Sequence, residues 1–170
     1  MPDFMMQQQQ EDEWCWAAVA VSIHQFLDPA KAGEWTQETL ATAMLQKLGA
    51  IPPGIDCSER PDLCNMPAGL DTALSTAGNL SAPGCLQGKN LPFEILRVWI
   101  DDKLPVCARI VWDDGGAHFI ALDGYRVFSS GAQQVHVQDP LFGPSFQLYD
   151  DLLSDYPPGG SWQDTYLVKK

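Results

Sequence analysis

The run from Trp14 to Leu27, WCWAAVAVSIHQFL, constrains this chain more than any other stretch. Its apolar positions 16, 19, 20, 23, 26 and 27 follow the i, i+3, i+4, i+7 rhythm of a helix. Asp28-Pro29 stops it, because a proline disfavours helical backbone in the residue before it. A helix so apolar is buried on much of its circumference, and the rest of the chain must enclose it. Glu11, Asp12 and Glu13 stand just ahead, where the helix dipole favours carboxylates. Cys15 therefore falls in the first turn of a buried helix.

The remaining pattern says what can do the enclosing. Thr36 is an N-cap candidate for a second helix that runs through Leu40, Met44, Leu45 and Leu48 to Gly49. Residues 50–67 hold four prolines and read as loop. Short helices are expected over Leu70–Ala77 and Pro92–Lys103, with Pro92 in the first turn of the latter. The character then changes. Val106–Trp112, His118–Tyr125 and Gln134–Gln138 are β-rich, separated by the turn chemistry of Asp113-Asp114-Gly115-Gly116 and Ser129-Ser130-Gly131. A short helix near Asp150–Ser154 and a last strand at Tyr166-Leu167-Val168 complete the reading. Helices first and antiparallel strands second give an α+β fold. The 170 residues suit a single domain over 1–170, with residues 1–8 a flexible or extended lead-in.

Charge excludes whole classes of partner. Asp plus Glu number 22 against 10 Lys plus Arg, a net charge of −12. A nucleic-acid binder would need a basic patch, and an anionic membrane surface would repel this chain. No apolar run reaches the roughly 18 residues of a membrane-spanning helix. Met1–Glu13 has neither a basic n-region nor an apolar h-region, so a cytoplasmic location or export without a signal peptide is expected. The five cysteines are Cys15, Cys57, Cys64, Cys85 and Cys107, so at least one thiol stays unpaired within the chain. Cys57 and Cys64 are too widely spaced for a zinc pair and have no neighbouring His, and no metal or cofactor is expected. Free thiols are the default in a reducing compartment, and a local Cys57–Cys64 disulfide is the reading for an exported chain. Cys107 lies in an apolar strand and reads as core.

Cys15 has a use beyond packing. Unpaired N–H groups and the positive end of the dipole at a helix start favour a thiolate, which is the nucleophilic form. Such a nucleophile needs a His to hold and return a proton, a carboxylate or amide to orient that His, and donors for an oxyanion. His118 opens a strand straight after a Gly-Gly turn, and Asp139 ends the following one. If those strands pair as a hairpin, His118 and Asp139 become neighbours. Gln9, six residues before Cys15, can bring an amide donor to the same place.

These residues carry a family resemblance. Gln9, then Trp14-Cys15-Trp16-Ala17-Ala18, then Gly116-Ala117-His118-Phe119-Ile120-Ala121-Leu122-Asp123-Gly124-Tyr125, then Val137-Gln138-Asp139-Pro140 resemble the papain-like cysteine peptidases. The compact bacterial branch, which includes bacteriocin-leader peptidases and secreted effector proteases of plant pathogens, looks most similar. The resemblance spans about Gln9 to Tyr149. It implies a papain-like fold with helices packed on an antiparallel sheet, a protein or peptide substrate, Cys15 as nucleophile, His118 as base, Asp139 as its orienting group and Gln9 as oxyanion donor. The Gln7–Gln10 run leaves Gln8 as an alternative to Gln9. The insert from Ala50 to Pro67 has no counterpart in the pattern.

Blander roles stand beside these. Asp139 before Pro140 also suits a strand end. Asp123 is a rival carboxylate, but five residues along a strand puts it roughly 16 Å from His118. His24 falls on the helix face opposite Cys15 and reads as structural or exposed. His136 lies beside the site without a motif. Trp14 and Trp16 could line a pocket or pack a core. Glu11–Glu13 oppose a thiolate, while a short contact to an imidazolium favours it; the imidazolium is expected to prevail, and the acidic rim to favour basic or neutral substrate segments. The same machinery also fits a glutamine deamidase or transglutaminase-like effector, and the same fold could serve as a non-enzymatic binding domain.

Overall fold

The structure, a computed structural model, describes residues 3–170. The apolar run forms α1 (Cys15–Leu27), and 11 of its 13 residues are buried, so this helix is enclosed rather than amphipathic. Pro29 ends it and opens a short 3-10 turn (Pro29–Lys31). α2 (Gln37–Lys47) is capped as its sequence implies: the Thr36 hydroxyl accepts from the Thr39 N–H and the Thr39 hydroxyl accepts from the Thr36 N–H. Residues 50–67 are loop except for α3 (Pro61–Cys64), and α4 (Leu70–Thr76) follows.

Six antiparallel strands make one sheet. They are β1 (Leu80–Leu86), β2 (Val106–Trp112), β3 (Ala117–Val127), β4 (Gln133–Asp139), β5 (Gly143–Leu148) and β6 (Gly160–Val168), in the order β1-β6-β2-β3-β4-β5. α5 (Phe93–Asp101) precedes β2, and α6 (Tyr149–Ser154) lies between β5 and β6. The fold is α+β. Side chains alternate across the sheet and divide the interior into two cores. Cys107, Phe119, Ala121 and Tyr166 face α1, α2 and α4. Val106, Ala108, Ile110, Ile120, Leu122, Val135 and Val137 face the residues of α5 and α6.

The sequence pattern misses two strands and shortens a third. β1 and β5 are the sheet's two edges. An edge strand needs pairing on one side only, so β1 tolerates Pro83 and Gly84 and slips register between Leu80 and Cys85. β5 has polar and apolar residues without a buried row. β6 begins at Gly160 rather than Tyr166, and its polar Gln163-Asp164 sits at the register shift opposite Arg109 and Ile110.

The lead-in is extended and fastened. Phe4 is buried edge-on to Phe26, with ring centroids 5.5 Å apart. Its carbonyl accepts from Gln138 Nε2 at 3.2 Å, and the Gln7 N–H donates to Ser22 Oγ at 2.9 Å. This segment crosses from the sheet to α1 and so sets where Cys15 can lie. Residues 1 and 2 of the lead-in fall outside the described range.

Gly160 is a point where space alone decides the residue. A Cβ there would meet Ile110 Cγ2 and lie 3.2 Å from Trp112 Nε1. Gly160→Ala should lower stability by about 1–3 kcal/mol, the cost of overpacking a filled core. Denaturant unfolding of the two proteins checks this; equal midpoints would show that β2 yields at no cost.

Candidate active site

Cys15 is the first residue of α1, and its cap residue, Trp14, offers no side-chain acceptor. The N–H groups of the first turn therefore stay available to an outside acceptor. Both neighbours of the cysteine are fixed. Trp14 Nε1 donates to the Cys64 carbonyl at 2.8 Å, Trp16 Nε1 to the Met66 carbonyl at 3.1 Å, and the Glu13 N–H to Asn65 Oδ1 at 2.9 Å. Both indoles are buried in the core, and Trp16 also lines the cleft at Cys15. The insert is thus the strap that holds both flanks of Cys15. A Cys57–Cys64 disulfide closes it, so the free-thiol expectation does not apply to this pair. Cys15, Cys85 and Cys107 are free. Burial pushes the Cys107 thiol up, as its core position implies, and burial likewise raises Cys85.

His118 and Asp139 meet as the hairpin expectation requires. Ala121 opposes Gln138 across β3 and β4, which leaves Asp139 one step on and diagonal to His118. His118 Nε2 lies 2.8 Å from Asp139 Oδ1, with His118 4% and Asp139 2% exposed. The same oxygen accepts from the Leu141 N–H at 2.7 Å and the Phe142 N–H at 2.9 Å, and Oδ2 accepts from the Tyr156 hydroxyl at 2.7 Å. A carboxylate so buried is stable only because it is this fully bonded. Burial opposes the charge on His118, but the bonds to Asp139 and to the Cys15 sulfur outweigh it and push its pKa up to about 9. For Asp139, burial is the largest single influence and works against the charge, but the bond and charge of His118, the Tyr156 hydroxyl and the Phe142 N–H together outweigh it and hold the carboxyl below its usual range. With Nε2 engaged by Asp139, Nδ1 is the ring nitrogen left for Cys15. The ring is flanked by Trp112 and Phe142, at centroid distances of 5.6 and 6.2 Å.

Tyr156, Trp112 and Phe142 carry no motif in the sequence. Tyr156 reaches Asp139 only because its segment folds back after α6, a relation without a local signal. Burial and the adjacent carboxylate push its phenol up, so it remains a donor.

The other sequence candidates separate clearly. Gln9 Nε2 donates to the Glu11 carbonyl at 3.0 Å and the Asp12 carbonyl at 2.7 Å, its Oε1 is buried without a partner, and its N–H donates to the Pro140 carbonyl at 2.9 Å. Gln9 therefore ties the Cys15 loop to the Asp139 strand end, with its amide turned into that loop. Gln8 is exposed, and its carbonyl accepts from Gln37 Nε2. Asp123 pairs instead with His136, at 2.6 Å, and accepts from Gln138 Nε2 at 3.0 Å. His24 is buried and bonded to Asn79 Oδ1 and to the Ala77 carbonyl, a structural role.

Cys15 opens onto a cleft of about 360 Å³ between Trp16, Pro67 and Ala68 on one side and Phe119 and Tyr166 of the sheet on the other. Glu13 and the Arg109–Asp164 ion pair, at 3.0 Å, give it a polar end. A larger cavity of about 430 Å³ lies by Asp123 and His136. It holds a second His–Asp pair but neither thiol nor hydroxyl in its lining, so of these two cavities only the smaller is lined by a thiol. No protein-family model matches this chain, and no curated protein matches it significantly. The site brings together the Cys15 thiol, the His118 imidazole and the buried Asp139 carboxylate beside an open cleft.

The strap gives a stability test. Replacing Cys57 and Cys64 together by serine frees a short loop and should cost about 2–3 kcal/mol. Denaturant unfolding with and without a reducing thiol measures it; a double variant as stable as the parent would mean that the tryptophan anchors alone hold the strap.

Proposed function

We propose that this chain is a papain-like cysteine peptidase. The observation that carries the reading is the convergence of Cys15, His118 and Asp139 from a helix start, a strand start and a strand end. In the proposed reaction the Cys15 sulfur attacks the amide carbonyl carbon, a C–S bond forms, and negative charge moves to the carbonyl oxygen. The free N–H groups of the first turn of α1 face that charge as oxyanion donors. Gln9 can join them only if its amide leaves the Glu11 and Asp12 carbonyls. As the C–N bond breaks, the proton on His118 passes to the leaving nitrogen. His118 then takes a proton from water, the hydroxyl oxygen attacks the thioester carbon, and the C–S bond breaks to restore Cys15. Asp139, fixed by Tyr156 and two backbone N–H groups, keeps the imidazole aimed and its charge stabilised.

Glu13 and Asp164 in the cleft, with only Arg109 to offset them, favour basic or neutral segments ahead of the scissile bond. At low salt, matched peptides with Lys or Arg there should be cleaved faster than peptides with Asp or Glu. Equal rates would remove the acidic rim from the account of specificity.

The chemistry is tested by iodoacetamide labelling with mass-spectrometric site assignment. Cys15 is expected to react selectively over Cys85 and Cys107, and His118→Ala should slow it by about 10²-fold or more. Labelling of Cys15 at the same rate in both proteins would leave a binding domain as the better reading. Product masses from a peptide mixture then separate hydrolysis of the chain from conversion of Gln to Glu.

His118 also fixes a pH dependence. Its pKa rises from 6.5 to about 9 on folding. A raised value means the protonated form is the stabilised one: this contribution is complete below about pH 6.5 and disappears as pH climbs through about 9. Thermal midpoints of wild type and His118→Ala should therefore converge above about pH 9, and turnover should fall over the same range as the proton for the leaving group is lost. A gap in midpoints that widened with pH would contradict this sign.

A further inference from the structure

The larger cavity, of about 430 Å³, lies at the far end of α1 from Cys15. Phe26, which lines it, stands about 16 Å along the helix axis from that residue, at a rise of about 1.5 Å per residue. Phe4, Phe26, Ile100 and Leu104 give the cavity an apolar wall. Asp123, His136 and Gln138 give it a polar one, and Asp3 and Lys103 are exposed members of its lining. We infer that this cavity binds an organic ammonium, a primary amine carried on an apolar or aromatic body. The assignment does not depend on the peptidase reading.

The polar atoms left over in the lining decide the class of ligand. Gln138 is only 8% exposed, and its Nε2 donates to the Phe4 carbonyl at 3.2 Å and to Asp123 Oδ2 at 3.0 Å. Both partners are acceptors, so the amide can stand only this way round, and both of its hydrogens are spent. Phe4 and Asp123 line the cavity themselves, so they hold the Gln138 side chain to it. Its Oε1 has no donor among the described residues. An oxygen on so buried a side chain ordinarily has a partner, and its lack of one points to a donor from outside. His136 Nδ1 donates to Asp123 Oδ1 at 2.6 Å, which leaves Nε2 of the uncharged ring as an acceptor, again without a partner among the described residues. On this wall every unspent atom therefore accepts. Charge points the same way. Asp3 and Asp123 outnumber Lys103 in the lining, in a chain of net charge −12. A carboxylate ligand would meet two like charges, whereas an ammonium meets acceptors and carboxylates. The phenyl rings of Phe4 and Phe26, 5.5 Å apart, pack an apolar body and add attraction for a cation. The volume falls within the range of small-ligand sites.

The experiment is a ¹H–¹⁵N NMR titration of the full chain with three ligands that share one apolar body: phenethylamine, 3-phenylpropionate and 2-phenylethanol. Phenethylamine should bind with a Kd of about 0.1–1 mM and about tenfold or more tighter than the other two. Shifts should centre on Phe4, Asp123 and the side-chain amide of Gln138. Lys103 has a φ of 61°, in the left-handed region that glycine adopts freely, so Lys103→Gly removes a positive charge without straining the fold. That variant should bind the amine about twofold tighter or more, and Asp123→Asn about tenfold weaker. If Asp123→Asn fails to fold, Lys103→Gly and the ligand series still decide. A free amine and the first residue of a peptide carry the same chemistry, and the amide of the dipeptide Phe-Gly separates them: tighter binding than phenethylamine assigns a peptide end, weaker binding a free amine. The ammonium site is overturned by equal or tighter binding of the acid or the alcohol, by weaker amine binding in Lys103→Gly, by shifts centred on Glu13 and Asp164 of the Cys15 cleft, or by no saturable shift up to about 10 mM amine.

Discussion

A helix with almost no polar face can exist in water only if other parts of the chain wrap it. α1 has the sheet against one side, α2 and α4 against others, the extended lead-in along its length and the disulfide-closed strap across its start. Its start, Cys15 and Trp16, lies at the cleft. That constraint explains why the site sits where it does. The N–H groups at a helix start lack partners within the helix, and here the residue that caps them is a tryptophan, which can donate but not accept.

The second half of the site depends on a buried carboxylate. Asp139 would be unstable as an ion in the interior if it had only one partner. Four donors reach it, from β3, from the turn after β4 and from the segment before β6. The result is a fixed negative charge that keeps His118 protonated through the neutral range. The Asp123–His136 pair shows what the same residue types amount to elsewhere. It is more exposed, with His136 stacked on Phe146 and Asp123 sharing its charge with Gln138, and no thiol lies in the cavity beside it. Two His–Asp pairs on neighbouring strands thus differ in burial and in what faces them, and only the His118–Asp139 pair has a thiol beside it.

Beyond the packing of α1 on the sheet, the two halves are tied by hydrogen bonds. Gln9 is bonded by its backbone to the residue after Asp139 and by its side chain to the loop before Cys15. Gln138 holds the lead-in at Phe4. These links join the segment before Cys15 to the end of the strand that carries Asp139.

Much of this was legible along the chain. The rhythm of α1 and its proline stop, the capped start of α2, the turn residues around β2, β3 and β4, and the positions of Cys15, His118 and Asp139 all follow from local chemistry. Side-chain period, caps and turns act between residues close in sequence, so they leave a readable pattern. The edge strands β1 and β5, the length of β6, the clamp of the strap on Trp14 and Trp16, the hydroxyl of Tyr156 on Asp139 and the inward turn of the Gln9 amide were decided only when distant segments packed. Each is a contact between residues with no shared periodicity, chosen by the space and the unsatisfied polar groups left over by everything else. Residue types and local pattern mark the groups with reactive side chains; long-range packing selects which of them face one another.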